Sequence, residues 1–168
     1  MATKLVDVSN NYKELCKIAN YMRGDKFISE VFRNRIDRLA SSRFSFMIRK
    51  NNKDIGFANL VIEKGNQYFY FLDIGLKEEY RNKGVGTEVL EKLHDMEFDR
   101  FVLLEVRNDN EAANISIGKV GVKIFTIGNI NYYLLQQERV IEFIDGDYLE
   151  KLADHVSIKS KKDLIYKK

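Results

Sequence analysis

The chain has 168 residues, 45% of them hydrophobic, which suits one domain with a true core and argues against disorder. Lys+Arg 28 against Asp+Glu 25 leaves a formal net charge of only +3, too small a bias to mark a nucleic-acid binder. Cys16 is the single cysteine, so neither a disulfide framework nor a Cys-based zinc site forms within one chain, and no metal is expected.

The opening residues lack the apolar run of a signal peptide, and no stretch approaches the length of a membrane span. A reducing, cytoplasmic setting with no membrane partner is the expectation. There is no proline, so Gly, Asn, Asp and Ser must punctuate the elements.

Leu5 to Val8 reads as a first strand, and Ser9 or Asn10 can cap the helix carrying Leu15, Ile18, Ala19 and Met22 at helical spacing. Gly24 and Asp25 break it. A second helical stripe follows in Ile28, Phe32, Ile36 and Leu39. After Ser42 the period changes to two. Phe44, Phe46 and Ile48 alternate along a strand, Asn51 to Asp54 turns the chain, and Ile55 to Glu63 returns. Gly65-Asn66 turns again into a third antiparallel strand, Tyr68 to Leu76.

A glycine-rich turn then opens a helix with Val85, Val89, Leu93 and Met96 on one face. Phe101 to Val106 is a near-continuous apolar run broken by Glu105, as expected of a strand covered on both faces. Asn108 to Asn110 cap a helix with Ala113, Ile117 and Val120 on one stripe, ended by Gly121. Strands at Lys123 to Ile127 and Tyr132 to Gln136 join through Gly128-Asn129. The fold class is a mixed α/β (α+β) sheet, an antiparallel meander followed by a parallel β-α-β unit. The domain is expected over 1–146, with a C-terminal helix and basic tail over 147–168.

The turn Tyr80-Arg81-Asn82-Lys83-Gly84-Val85-Gly86-Thr87 is the sharpest signal. Strand, Arg-x-x-Gly-x-Gly turn and helix together bare a row of backbone N–H groups at a helix N-terminus, which suits a pyrophosphate. Its place, where the sheet changes from antiparallel to parallel, is where such sheets tend to bind ligands.

Arg81 to Gly86 resembles the acetyl-coenzyme A motif of the Gcn5-related N-acetyltransferase (GNAT) superfamily, Gln/Arg-x-x-Gly-x-Gly/Ala. Asp73-Ile74-Gly75-Leu76 is similar to the Glu-Ile-Gly-Tyr of its ribosomal-protein N-terminal and polyamine acetyltransferase branch. Asn110 with Lys119-Val120-Gly121-Val122 resembles that branch's Asn-x-x-Ser and Lys-Leu-Gly-Phe. The resemblance implies an acetyl-CoA-dependent N-acetyltransferase acting on a primary amine, a GNAT-like fold with a splayed, V-shaped cleft, and a family that often dimerises.

The resemblance also implies roles. Arg81, Asn82, Lys83, Gly84, Val85, Gly86 and Thr87 would hold the pyrophosphate; Ile74 and Leu76 would pair with the pantetheine arm, and Asn110 would contact it. The Leu76 N–H would donate to the oxyanion. Asp73, with Glu105 as second candidate, would manage the amine's proton, which a free amine near pKa 10.4 retains at neutral pH. Two positions depart from the family. Ile117 stands where a Tyr often assists the thiolate, and Ala113 stands for the Ser. Ser116, Tyr132, Tyr133 or water remain as proton donors. A coenzyme A-binding module without turnover is the alternative. Gly75 suits either a bulge or close packing.

Overall fold

The computed structural model describes residues 3–24, 42–62, 69–135 and 154. The expected stripe from Ile28 to Leu39, the Gly65-Asn66 turn, and the 147–168 tail apart from Asp154 lie outside them. Strand β1 (Lys4–Asp7) leads to helix α1 (Tyr12–Gly24). The meander follows as β2 (Ser42–Lys50), β3 (Lys53–Val61) and β4 (Phe69–Leu76). A single 3₁₀ turn (Glu78–Tyr80) precedes α2 (Val85–Asp95), then β5 (Phe101–Arg107), α3 (Glu111–Gly118), β6 (Val122–Ile127) and β7 (Ile130–Leu134).

All seven strands share one sheet in the order β1-β2-β3-β4-β5-β7-β6. Neighbours are antiparallel except β4 and β5, which the α2 crossover makes parallel. The β2–β3 hairpin closes through Asn51 and Asn52, with φ of 52° and 60°. A two-residue turn with both φ positive matches the twist of the strands, and Asn tolerates that conformation. The last hairpin is equally tight, pairing Ile127 with Ile130 across Gly128-Asn129. Pairing therefore starts two residues earlier than the Tyr132–Gln136 expected from hydrophobicity.

Alternation along the strands sorts their side chains onto two faces. Tyr70, Leu72, Leu104 and Val106 pack with Val85, Val89 and Leu93 of α2 and Ile117 of α3. Phe71, Leu103, Tyr132 and Leu134 cluster on the other face, and farther along it Ile18 of α1 packs on Met47 and Phe57. Burying one such aliphatic side chain contributes about 1.5–3 kcal/mol, so Val89 and Leu93 hold α2 firmly against the sheet.

The feature that positions the site is where β4 and β5 part. Among the described residues three rungs join them, Phe69–Phe101, Tyr70–Val102 and Phe71–Leu103. Beyond Phe71 each strand keeps its outer partner, β3 for β4 and β7 for β5. The closed end is pinned by the Tyr70 hydroxyl, which donates to Asp99 Oδ1 at 2.6 Å, with the Arg100 guanidinium over the Tyr70 ring. Burial, then the bond to Asp99, raises the Tyr70 phenol above its ordinary pKa, so it holds its proton.

Candidate active site

The parted strands leave one edge of β4 facing the mouth of the V. Lys77 N–H bonds Ile55 O at 2.8 Å, while Leu76 is the register partner of Gly56. A bond running from one residue after Leu76 to one residue before Gly56 makes this a non-hydrogen-bonded pair. The N–H and C=O of Leu76 therefore point away from β3, toward the splay, and those of Ile74 do the same by the two-residue period. Leu135 N–H bonds Val102 O at 3.0 Å, and by the same logic the backbone of Leu103 and Glu105 points toward β4, Leu103 at the last rung and Glu105 into the V. The V is lined on both sides by main-chain donors and acceptors at strand spacing.

The β3–β4 register runs unbroken through Gly75, so the bulge admitted there is absent. The β2–β3 register shifts twice, between Ser42 and Phe44 and between Ile48 and Arg49, and the second shift leaves Ile55 of β3 as the extra residue. Gly56 follows it. A Cβ at Gly56 would collide with the Gly75 carbonyl oxygen and come within 2.9 Å of Leu76 Cδ2. Gly56 thus sets how closely β3 supports the Gly75–Leu76 backbone. An isolated glycine inside a strand pattern is the sequence signal for such an approach.

Past Leu76 the chain winds through the 3₁₀ turn, with Tyr80 N–H on Lys77 O at 2.9 Å and Arg81 N–H on Glu78 O at 3.1 Å. Arg81 also turns back: its Nε–H donates to Leu76 O at 2.9 Å. That bond ties the glycine-rich turn to the strand edge it follows. Asn82 and Gly84 then take positive φ, 59° and 79°. Gly84 is the N-cap of α2 and offers no side chain to its first-turn amides. At α3 the Asn110 side chain does that work, accepting from Ala113 N–H at 3.2 Å. The start of α2 therefore presents main-chain N–H groups, reinforced by the helix dipole, beside the open end of the V. Lys83 is exposed at the same turn.

Gly86 separates two reasons for glycine. A Cβ there would meet only Leu76 Cδ1, at 3.9 Å. Packing does not require glycine at this helical position, where it costs about 1 kcal/mol relative to alanine. Close approach of a ligand is a reason that packing does not supply.

Both candidate carboxylates lie on the sheet face opposite α2. Asp73 alternates with Phe71, and Glu105 with Leu103, whose side chains cluster on that face. Continued beyond Phe71–Leu103, the parallel register would bring Asp73 opposite Glu105, so the pair flanks the origin of the splay. Asp73 is 2% exposed. Its cross-strand partner is Asn59, whose own partner on β2 is Ser45, and both are buried too. This polar row across an apolar face was missed in the sequence, because alternation reports which face a residue occupies and not which residues align between strands.

The two departures near α3 have a structural consequence. Ile117 is 5% exposed and belongs to the core between α2, α3 and the sheet. Tyr133 donates its hydroxyl to Asn114 Oδ1 at 2.8 Å. The Asn114 oxygen also accepts from Asn131 Nδ2 at 2.9 Å, and its amide donates to Arg107 O and Asn110 O. Tyr133 is thus committed to bracing α3 on β7. Tyr132 lies on the opposite face from it, packed on Phe125. Ser116 is half-buried on α3.

A mixed sheet parted at its single parallel junction, with an uncapped helix start at the mouth, is the architecture of an acetyl-CoA-dependent acyltransferase. Residues 10–116 match the Acetyltransferase (GNAT) family, and the chain belongs to it. Solved structures with the same fold include the Campylobacter jejuni N-acetyltransferase PseH in complex with acetyl coenzyme A, at 17% identity and TM-score 0.55 over 80% of this chain and 99% of that one. Aminoglycoside acetyltransferase AAC(6')-Ib in complex with coenzyme A is similar at 14% identity and TM-score 0.61, covering 84% and 98%. The spermidine/spermine N-acetyltransferase SpeG from Vibrio cholerae gives 14% identity and TM-score 0.57, covering 86% and 98%. No curated protein matches the sequence.

Proposed function

We propose that this protein transfers the acetyl group of acetyl-CoA to a primary amine by direct attack in a ternary complex. The observation that carries the reading is the N-terminus of α2, capped by no side chain and set at the mouth of the parted β4 and β5 strands. The amides of Lys83, Gly84, Val85, Gly86 and Thr87 would take the pyrophosphate, with Arg81, Asn82 and Lys83 around it. The pantetheine arm would run along β4 as a strand partner of Ile74 and Leu76, passing the Asn110 cap. The thioester carbonyl would then lie within reach of the Leu76 N–H, a fixed donor for the developing oxyanion.

Asp73 and Glu105 lie on the face away from α2, so the amine would enter from that face. A cation is attracted to the pair, and Asp73 accepts its proton directly or through water. The neutral amine attacks the carbonyl carbon, the tetrahedral adduct collapses, and the thiolate leaves. Free thiols ionise near pH 8.5, so thiolate departs without a side-chain acid. That suits a site with Ile117 in the core and Tyr133 bonded to Asn114. The relatives' acceptors, an aminoglycoside in one and spermidine or spermine in another, support an amine as acceptor class.

Thiol release from acetyl-CoA with a panel of primary amines, spermidine and aminoglycosides included, tests the reading. Asp73→Asn is expected to lower kcat by about 10²–10⁴-fold while leaving acetyl-CoA affinity within twofold. Unchanged release across pH in that variant would remove Asp73 as the base. The second reading, a coenzyme A-binding module without turnover, is favoured by Ile117 and Ala113 alone. It predicts acetyl-CoA binding by calorimetry with no thiol release for any amine.

A further inference from the structure

The buried row Ser45, Asn59 and Asp73 contains an unmet requirement. Asn59 is 1% exposed, and its Oδ1 is a buried oxygen with no hydrogen-bond donor among the described residues. A buried amide oxygen left without a donor is costly, and such atoms are few in native proteins. Asn59 and Asp73 are direct cross-strand partners on adjacent antiparallel strands, with side chains on the same face. Partners of this kind hold their Cβ atoms about 4.5–5.5 Å apart, which puts a carboxyl group within reach of a carboxamide.

An ionised carboxylate has only lone pairs to offer and leaves Asn59 Oδ1 unmet. A protonated one carries the O–H that this oxygen lacks. We infer that Asn59 is a positioning residue for proton transfer: its Oδ1 accepts the hydrogen bond from Asp73 once that carboxylate holds the proton taken from the acceptor amine. The inference rests on the reading of Asp73 as the base.

The step balances. The ammonium gives one proton to the Asp73 carboxylate, leaving a neutral amine and a carboxylic acid whose O–H points at Asn59 Oδ1. The amine nitrogen bonds the thioester carbon, and the C–S bond breaks with its electron pair going to sulfur. The second nitrogen proton leaves with the thiolate or to solvent, and Asp73 later returns its proton to water. Asn59 changes no bond. It favours the protonated form of Asp73 and so makes that carboxylate a stronger base.

Glu105 lies on β5 on the same face across the splay, and a carboxylate brought close to Asp73 disfavours its charged form. Arg107 stands farther along β5, paired with Asp109 at 2.6 Å. The Glu14, Lys17, Arg49 and Asp54 cluster sits where α1 meets the β2–β3 hairpin, near the far end of those strands.

The experiment is a carbon-13 NMR titration of carboxyl-labelled aspartates, with the Asp73 resonance assigned by its loss in Asp73→Asn. In the unsubstituted protein Asp73 is expected to retain its proton above the usual aspartate range, about 3.9. In Asn59→Leu its midpoint should fall by about one pH unit, the worth of one hydrogen bond to the protonated form. With an amine identified by thiol release, the acid limb of kcat/KM should move down in step, with KM for acetyl-CoA unchanged.

A midpoint that stays put or rises in Asn59→Leu overturns the inference; a rise would mean that the amide donates to the carboxylate. Should Asn59→Leu not fold, the unsubstituted protein decides, and an Asp73 midpoint within the usual aspartate range, about 3.9, overturns it. The titration needs no acceptor, so its outcome is separate from the function itself. If Asp73→Asn leaves thiol release unchanged, the catalytic reading fails while the coupling of Asn59 to Asp73 is still measured.

Discussion

Single residues set the geometry of this site through their backbones more than their side chains. Gly84 has open space around it, so its glycine answers to a φ of 79° and not to crowding. Gly84→Ala is expected to cost about 1–2 kcal/mol in denaturant unfolding and to weaken acetyl-CoA binding, read by calorimetry. Gly56 is the opposite case, because its φ is ordinary and its neighbours are not. Gly56→Ala would drive a methyl into the Gly75 carbonyl and push the Leu76 backbone toward the V. The expected loss is about 1–3 kcal/mol of stability, with a fall in kcat greater than any change in KM for acetyl-CoA. An alanine at Gly86 meets no such obstacle, so the three glycines give three separable outcomes.

At the scale of elements, α2 is held from two sides. Its apolar stripe packs on the sheet, and Glu88, in its first turns, clamps Thr3 just before β1. Thr3 N–H and Thr3 Oγ1 each donate to a Glu88 carboxylate oxygen at 2.9 Å. Burial by itself would raise the Glu88 carboxyl; the two Thr3 bonds, with Lys92 and Lys50 nearby, outweigh it and hold the carboxyl below its usual range. A carboxyl depressed in the fold contributes stability above the ordinary Glu range and loses it as pH falls through the folded value. Glu88→Gln should therefore lower stability at neutral pH and flatten the dependence of the denaturant midpoint on pH in the acid range. Because Glu88 N–H also closes the first α2 turn on Gly84 O at 3.1 Å, loss of the clamp should reach the turn itself and weaken acetyl-CoA binding.

The described strands form one continuous sheet with one weak seam. Among the described residues, three rungs, the Tyr70–Asp99 bond and the α2 crossover join the meander to the β5–β7–β6 half, and β4 and β5 are unpaired beyond Phe71 and Leu103. A ligand that pairs with β4 inside the V would bridge the halves. Acetyl-CoA is expected to raise the Tm by mass action, about 2.7 kcal/mol of stabilisation at 100 times Kd, and to slow amide exchange at Ile74 and Leu76 selectively. Exchange slowed elsewhere with these two amides unchanged would place the ligand outside the V.

Much of this was readable from the chain. The two-residue period of Phe44, Phe46 and Ile48, the Asn51-Asn52 turn and the Arg81–Gly86 motif each depend on local chemistry that a linear sequence states directly. Alternation and turn residues suffice to order the meander, and a helix between two strands suffices to make β4 and β5 parallel. What lay beyond reach was alignment between strands. The end of pairing at Phe71 and Leu103, the Gly56–Gly75 contact, the Arg81 bond to Leu76 O and the row Ser45–Asn59–Asp73 all depend on register. Register follows from the packing of both faces at once and from a bulge at Ile55, whose place beside Gly56 the sequence hints at but whose partner it does not state. The sequence alone determined that the protein has a phosphate-binding turn between a meander and a parallel unit. Only the tertiary structure decided which main-chain groups and carboxylates meet at the V, because those neighbours are set by long-range packing and not by spacing along the chain.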